Sequence, residues 1–234
     1  MVDEVQDFSP LEVQLLLGCM DSDAAITLAG DTQQHVVSNS GFTSWSDFFR
    51  ILGIPGTEID TLRVAYRSSR QIVEFSAALL GDLQEEEAPP ESRREGPPVE
   101  LFRFSDRGAC VGFLADALHE LTRSEPLASV AILTPSRAVS AAYYDGLGRC
   151  DIPQLRWVQD YDFSFAAGGE VAEIEQVKGL EFDYVVLVDV DSVHYPDTDE
   201  ARRLLHVGAT RAIHQLWLTS VEGPSPMVEG VWQG

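Results

Sequence analysis

Six consecutive residues, Val185-Val186-Leu187-Val188-Asp189-Val190, form an apolar run too short for an independent helix and too uniform for a strand with one wet face. Such runs belong to strands buried on both faces, which requires a parallel sheet covered by helices on either side. The surrounding pattern agrees. Strands are predicted at 99–104, 129–133, 171–177, 184–190 and 216–219, with helices at 107–122, 137–147 and 201–212 between them. On the 107–122 helix, Val111, Leu114, Leu118 and Leu121 make the buried stripe. The expected fold class is therefore α/β, with strand and helix alternating and no internal repeat.

The amino-terminal stretch gives a second, smaller alternation. Ser9-Pro10-Leu11-Glu12 carries a capping serine, a proline suited to the first turn and a glutamate at the capping-box position, so a helix is expected from there to about Met20. Ala25–Ala29 (AITLA) reads as a buried strand ending in Gly30-Asp31. Ser44–Leu52 reads as a helix with Trp45, Phe48, Phe49 and Leu52 on one face. A further helix is expected from Ser68 or Ser69 to Gly81. Residues 84–98 (QEEEAPPESRREGPP) have prolines and charges but no large apolar side chain, and read as a flexible surface loop.

Composition narrows the function classes. The chain has 234 residues, 44% of them apolar and 23% charged, the profile of a globular protein. No run of about 18 apolar residues is present, so no membrane span is expected. The start of the chain has no basic and then apolar leader, and the three cysteines (Cys19, Cys110, Cys150) never form CxxC. A cytoplasmic setting is the expectation. The net charge is −22. Phosphate backbones are held mainly by Lys and Arg, so the isolated chain is expected to bind nucleic acid weakly.

Five short segments carry candidate chemistry. In Val2-Asp3-Glu4-Val5-Gln6-Asp7, adjacent carboxylates at the end of an apolar strand have the Walker B arrangement: the first can hold Mg²⁺ through water, the second can polarise an attacking water. An acidic tail facing solvent explains the same residues about equally well. Gly30-Asp31-Thr32-Gln33-Gln34 is a polar loop after a strand, where α/β proteins place ligands, and Gln34 can sense a phosphate. Tyr66-Arg67 precedes a capped helix and offers a stacking ring beside a phosphate-pairing fork. In Lys178-Gly179-Leu180-Glu181, the glycine permits close backbone approach to a ligand. Arg211, near the end of a helix, is a candidate arginine finger, although a basic residue there also suits the helix dipole. For the last four segments an ordinary turn, surface arginine or helix end is the simpler reading of each taken alone.

Taken in order, VDEVQD, GDTQQ, AYRSS, VKGLEFDYVVL and LLHVGATRA resemble motifs II to VI of the UvrD/Rep/PcrA-like superfamily 1 DNA helicases, over residues 2 to about 219. The spacing between Arg67 and Lys178 is too short for the large inserted subdomain of UvrD, which resembles the helicase IV/HelD-like branch. The resemblance implies two RecA-like lobes with ATP between them, ATP-driven closure, and stepping along single-stranded DNA. It also implies roles: Asp3 supports Mg²⁺, Glu4 is the catalytic base, Gln34 is the phosphate sensor, and Tyr66 flanks the adenine. Gly179 and Glu181 lie at the nucleotide, the latter near the ribose, and Arg67 and Arg211 stabilise the γ-phosphate charge.

The sequence also departs from that family. No GxxxxGK[ST] occurs, so the phosphate-cradling loop and its lysine are absent from these 234 residues. Glu173 and Glu175 stand where the family carries Thr and His near the DNA strand. The expectation is the carboxyl-terminal half of a longer or split helicase: residues 1–55 a remnant of the first lobe, residues 56–234 the second lobe with the 84–98 loop. Its partners would be single-stranded DNA, an amino-terminal half bearing the P-loop, and RNA polymerase or repair proteins. The alternative is a non-enzymatic helicase-like module for protein docking or regulation. A nuclease is disfavoured because the carboxylates cluster at one strand end with no matching second set.

Overall fold

A computed structural model of the chain describes residues 1–19, 26–31, 44–62, 64–84, 91–164 and 166–232. It divides into two compact units, Met1–Leu62 and Arg63–Gly234.

In the first unit Val2 forms a parallel bridge with Leu28, through Val2 N to Thr27 O (2.8 Å) and Ala29 N to Val2 O (2.9 Å). The strand expected over 25–29 is reduced, among its described residues, to this one bridge. The reason is local: Glu4 adopts a left-handed backbone (φ 52°), which turns the chain into a 3-10 turn at Val5–Asp7 before the pairing can lengthen. Helix α1 (Pro10–Gly18) begins with the expected capping box, Ser9 N donating to Glu12 Oε2 (2.8 Å) and Glu12 N to Ser9 Oγ (3.3 Å). Helix α2 (Trp45–Ile51) is capped by Ser44. Val5, Val13, Phe48, Phe49 and Leu52 form the core, with Trp45 packed on Phe49 at 5.5 Å between rings. Helix α1 is apolar nearly all round, so while Val13 is buried, Leu11, Leu15 and Leu16 stay exposed.

The second unit runs β1 (Val64–Ala65), α3 (Arg70–Leu80), β2 (Glu91–Ser92), β3 (Glu100–Phe104), α4 (Arg107–Ser124), β4 (Ser129–Thr134), α5 (Arg137–Gly148), β5 (Arg156–Trp157), β6 (Gly168–Glu173), β7 (Phe182–Leu187), α6 (Asp199–Ala209), β8 (Ala212–Val221) and α7 (Pro226–Trp232). Six strands make one sheet in the order β3-β8-β7-β4-β6-β5, every pair parallel. The expected α/β class is thus the observed one. Alternation along the central strands splits the core in two. Val130, Ile132, Val186 and Val188 pack with Cys110, Leu114 and Leu118 of α4 and Val139, Tyr143 and Leu147 of α5. Leu187 faces the other way, where a Cβ added at Gly208 of α6 would come within 2.7 Å of its Cδ2; α6 can lie this close only because that position is glycine. Helix α3 packs on α6 and α7.

Several element boundaries differ from the sequence-based expectation. The strand expected over 171–177 is β6, 168–173, followed by a 3-10 turn at Ile174–Val177. The strand expected over 184–190 is regular only over 182–187, because Asp189 is left-handed (φ 49°); Val188 N and Val190 N still bond to Leu133 O (3.0 Å) and Thr219 O (2.8 Å). The helix expected to reach 212 ends at Ala209, and the last strand is longer than expected because β3 and β7 pair with it from both sides. The 84–98 loop is corrected in its second half: Glu91 and Ser92 pair in parallel with Val64 and Ala65. Among the described residues no helix is long and apolar enough to cross a membrane.

Candidate functional site

In the second unit three segments distant in sequence meet at the amino-terminal edge of β7 and β8. Arg211 O accepts from Phe182 N (2.9 Å), which brings the α6–β8 junction onto the start of β7. Ser68 Oγ donates to Ala212 O (2.6 Å), which adds the Tyr66–Ser69 turn. Arg67 then forms an ion pair with Glu181, Nη1 to Oε1. Tyr66 and Arg67 stand out from this edge, with 79% of Tyr66 and 74% of the Arg67 side chain exposed, while Glu181 is 34% exposed. The result is an open aromatic face beside a fork of donors and a carboxylate, a set of groups suited to a base, a phosphate and a sugar hydroxyl.

Arg211, expected near the end of a helix, follows the last turn of α6. It lies between α6 and β8 with only 6% of its surface exposed. Its Nε donates to Val207 O (3.1 Å), Nη1 to Leu180 O (3.2 Å) and Nη2 to Thr210 Oγ1 (3.0 Å). The guanidinium thus closes the carboxyl end of α6, where orphan carbonyls need donors, and ties it to the 178–181 turn. Gly179 has a φ of 75°, and a Cβ there would meet nothing within 4 Å. Its glycine is explained by the left-handed turn rather than by close approach to a neighbour.

In the first unit the adjacent carboxylates separate. Asp3 is exposed, and its Oδ1 accepts from Glu4 N (2.9 Å). Glu4 is half-buried, with Oε2 accepting from Gln6 Nε2 (2.5 Å), and the Oε1 of the buried Gln6 accepts from Asp31 N (3.1 Å). Gln6 therefore joins the VDEVQD segment to Asp31 of the next, which the sequence pattern did not reveal. Gln34 lies outside the described residues. Among the described residues no group of three His, Cys, Asp or Glu side chains could enclose a metal ion. One exposed carboxylate fits Mg²⁺ held mostly by water and phosphate oxygens rather than by a protein cage.

Glu173 ends β6 and accepts from Gln176 Nε2 (3.0 Å), while Glu175 is exposed in the 3-10 turn. Arg94, a residue the sequence did not single out, donates from Nη1 to Arg67 O (2.9 Å). It sits in the charged, proline-rich stretch whose composition gave no sign of order.

Residues 169–219, which include β7, α6 and most of β6 and β8, match the model of the UvrD-like helicase C-terminal domain. Two curated relatives, each named ATP-dependent DNA helicase UvrD2, from Mycobacterium bovis and Mycobacterium tuberculosis, are 30% identical over 160 residues, or 65% of this chain. The chain spans 23% of their length. Among solved structures, the C-terminal domain of a possible DNA helicase from Lactobacillus plantarum WCFS1 is similar at a TM-score of 0.59 with 27% identity, covering 72% of this chain and 94% of that one.

Proposed function

We propose that this chain, which carries a UvrD-like helicase C-terminal domain, works as part of an ATP-dependent DNA translocase of the UvrD type. The observation that carries the reading is the meeting of Tyr66, Arg67, Glu181 and the Arg211 segment at one sheet edge, from three separate stretches of sequence. In this reading Tyr66 flanks adenine, Gly179 and Glu181 lie at the nucleotide, the latter near the ribose, and Arg67 meets the γ-phosphate. Arg211, already bonded to Leu180 O, holds the edge together and adds charge to it. The first unit supplies Asp3 for Mg²⁺ and Glu4 as base, with Gln34 as phosphate sensor. The compact units correspond to a remnant of the first lobe and to the second lobe. The phosphate cradle, most of the DNA contact and the affinity for single-stranded DNA come from an amino-terminal half bearing a P-loop, in a cytoplasmic repair setting. Assignment to a helicase IV/HelD-like branch is part of this proposal and rests on the short spacing between Arg67 and Lys178.

The test is ATP turnover, with and without single-stranded DNA, by this chain alone and after joining to a P-loop-bearing half. Turnover is expected only in the joined protein, because in-line phosphoryl transfer depends on the cradle for the β- and γ-phosphates. Equal turnover by the chain alone defeats the reading. A second reading, a docking or regulatory module without activity, is favoured by Leu11 (65% exposed) and Leu15 (64%) on α1. A joined protein that folds but never hydrolyses ATP decides for it.

A further inference from the structure

Residues 91–96, from the stretch whose composition suggests a mobile loop, are bound along the Tyr66–Gln71 segment. Glu91 and Ser92 pair with Val64 and Ala65, and Ser92 Oγ donates to Ser68 O (2.8 Å). Arg70 N, at the start of α3, donates to Arg94 O (2.7 Å), and the Arg70 side chain reaches Glu95 (Nε to Oε1, 2.8 Å). Gly96 N donates to Gln71 Oε1 (3.0 Å). The centre of this contact is Arg94. Its Nη1 bonds to Arg67 O at 2.9 Å, and its Nη2 bonds to His214 Nδ1 of β8. His214 is itself held from β7, with Nε2 3.4 Å from Asp183 Oδ1 and its ring 6.1 Å from that of Tyr184.

We infer that Arg94 is a positioning residue: bridging His214 and the Arg67 carbonyl, it sets the turn that aims the Arg67 side chain at its partner. This rests on the proposed nucleotide role of Arg67. Two acceptors on different elements, one a main-chain carbonyl and one a ring nitrogen, are spanned by a planar fork with several donors; an ammonium group offers a point charge without that geometry. Arg94 is exposed, as is Arg67, so neither bond adds much to global stability. What the bridge fixes is direction. The Arg67 carbonyl and its Cα belong to one peptide, and locking the carbonyl limits the arc through which the side chain can swing. The rigid sheet strand β8 thereby holds the turn at a second point, besides the bond from Ser68 Oγ to Ala212 O.

The test reads Arg67 directly in the full chain. The Arg67 Nε–H signal of ¹⁵N-labelled protein is identified with Arg67→Lys, and its dependence on the ion pair with Glu181→Gln. Arg94→Ala is expected to move the Arg67 signal to the position seen in Glu181→Gln, with Tm and the protection of the Cys110 thiol unchanged. His214→Phe, which keeps a ring against Tyr184 but offers no acceptor, is expected to do the same, and Arg94→Lys to restore the signal only in part. An Arg67 signal indifferent to Arg94→Ala overturns the inference. In protein joined to a P-loop-bearing half, Arg94→Ala is expected to lower kcat by about ten- to a hundredfold with KM for ATP unchanged, the scale of an ångström-level misplacement. A signal that moves while kcat does not supports the bridge and rejects the nucleotide role of Arg67.

Discussion

Arg67 and Glu181, 114 residues apart in sequence, meet as an ion pair at the sheet edge where three motifs converge. In the proposed site both groups serve the nucleotide. Exposed pairs of this kind contribute about 0.2–1 kcal/mol. Glu181→Ala and Arg67→Ala should therefore leave Tm nearly unchanged. In protein joined to a P-loop-bearing half, Arg67→Ala should cut kcat by about 10³ or more if the arginine stabilises the transferring phosphoryl group. Thermal melts and steady-state turnover on the same preparations separate the two effects. A large fall in Tm with Arg67→Ala would show that the pair is structural.

Arg211 should behave in the opposite way. Its side chain bonds to Val207 O, Leu180 O and Thr210 Oγ1 from a buried position, and hydrogen bonds to charged groups are worth about 1.5–3 kcal/mol each. Arg211→Ala should lower unfolding free energy by about 2 kcal/mol or more, before any effect on turnover is considered. Arg211→Lys should recover a minority of that, since one ammonium cannot reach acceptors on two elements in the same plane. Denaturant titration of both variants checks this, and a wild-type midpoint for Arg211→Ala would refute it.

These two arginines also mark what could be read from the sequence. The alternation of apolar runs and helical stripes was enough for the parallel sheet, because burial on both faces leaves no freedom in the pattern of VVLVDV or of Ser129–Thr134. The capping box at Ser9 and Glu12 was legible because it is wholly local. Arg211 was not legible in the same sense: its motif gave its place in the chain, while its burial depends on Leu180, 31 residues away. Arg94 was hidden for a related reason. Its segment has the composition of a disordered loop, and its order comes from bonds to Arg67, Arg70 and His214, which no local pattern encodes. The separation of the Asp3 and Glu4 side chains was equally invisible, since it turns on the left-handed backbone at Glu4 and on Gln6.

A buried polar network joins both helices of one sheet face to the end of β7. The Asp189 side chain is 1% exposed; its Oδ2 accepts from Arg107 Nη2 (2.6 Å) at the start of α4, and its Oδ1 from the Tyr143 hydroxyl (2.6 Å) of α5. Arg107→Ala strands a buried carboxylate. Breaking fully buried pairs costs about 3–5 kcal/mol, and the value here should be about 2–3 because Arg107 is 43% exposed and water can reach its place. Asp189→Asn keeps a residue tolerant of the left-handed backbone and an acceptor for Tyr143, so it should cost less. The double variant should fall short of the sum by about 1 kcal/mol or more, since the second change removes the charge that the first left unpaired. Strict additivity in denaturant titrations would mean the two side chains are uncoupled.

The same network sets the alkaline limit of the fold. Burial pushes the Cys110 thiol above its ordinary value of 9.0, and burial, with Cys110 and Asp189 nearby, pushes the Tyr143 phenol far above 10.0; burial raises Tyr195 likewise. In the unfolded chain these groups ionise near their ordinary values, so above pH 9 to 10 the folded state holds protons that the unfolded state has released. Raised values in the folded state mean that the stabilisation is complete below the ordinary values and is lost progressively as pH rises beyond them. Each group contributes a slope of about 1.4 kcal/mol per pH unit in that range; with Tyr184, pushed up to about 12 by burial and by Glu125, the three tyrosines together give about 4, and Cys110 adds to it. Unfolding free energy should thus be level from pH 7 to 9 and drop steeply by pH 11. Tyr143→Phe should lower stability at pH 8, where the hydroxyl bond to Asp189 is lost, yet remove about a third of the phenol contribution to the alkaline slope, because one of the three phenols no longer titrates. Urea midpoints at unit pH steps measure both quantities. A slope equal in Tyr143→Phe and wild type would show that Tyr143 is already ionised in the folded protein or plays no part in the transition.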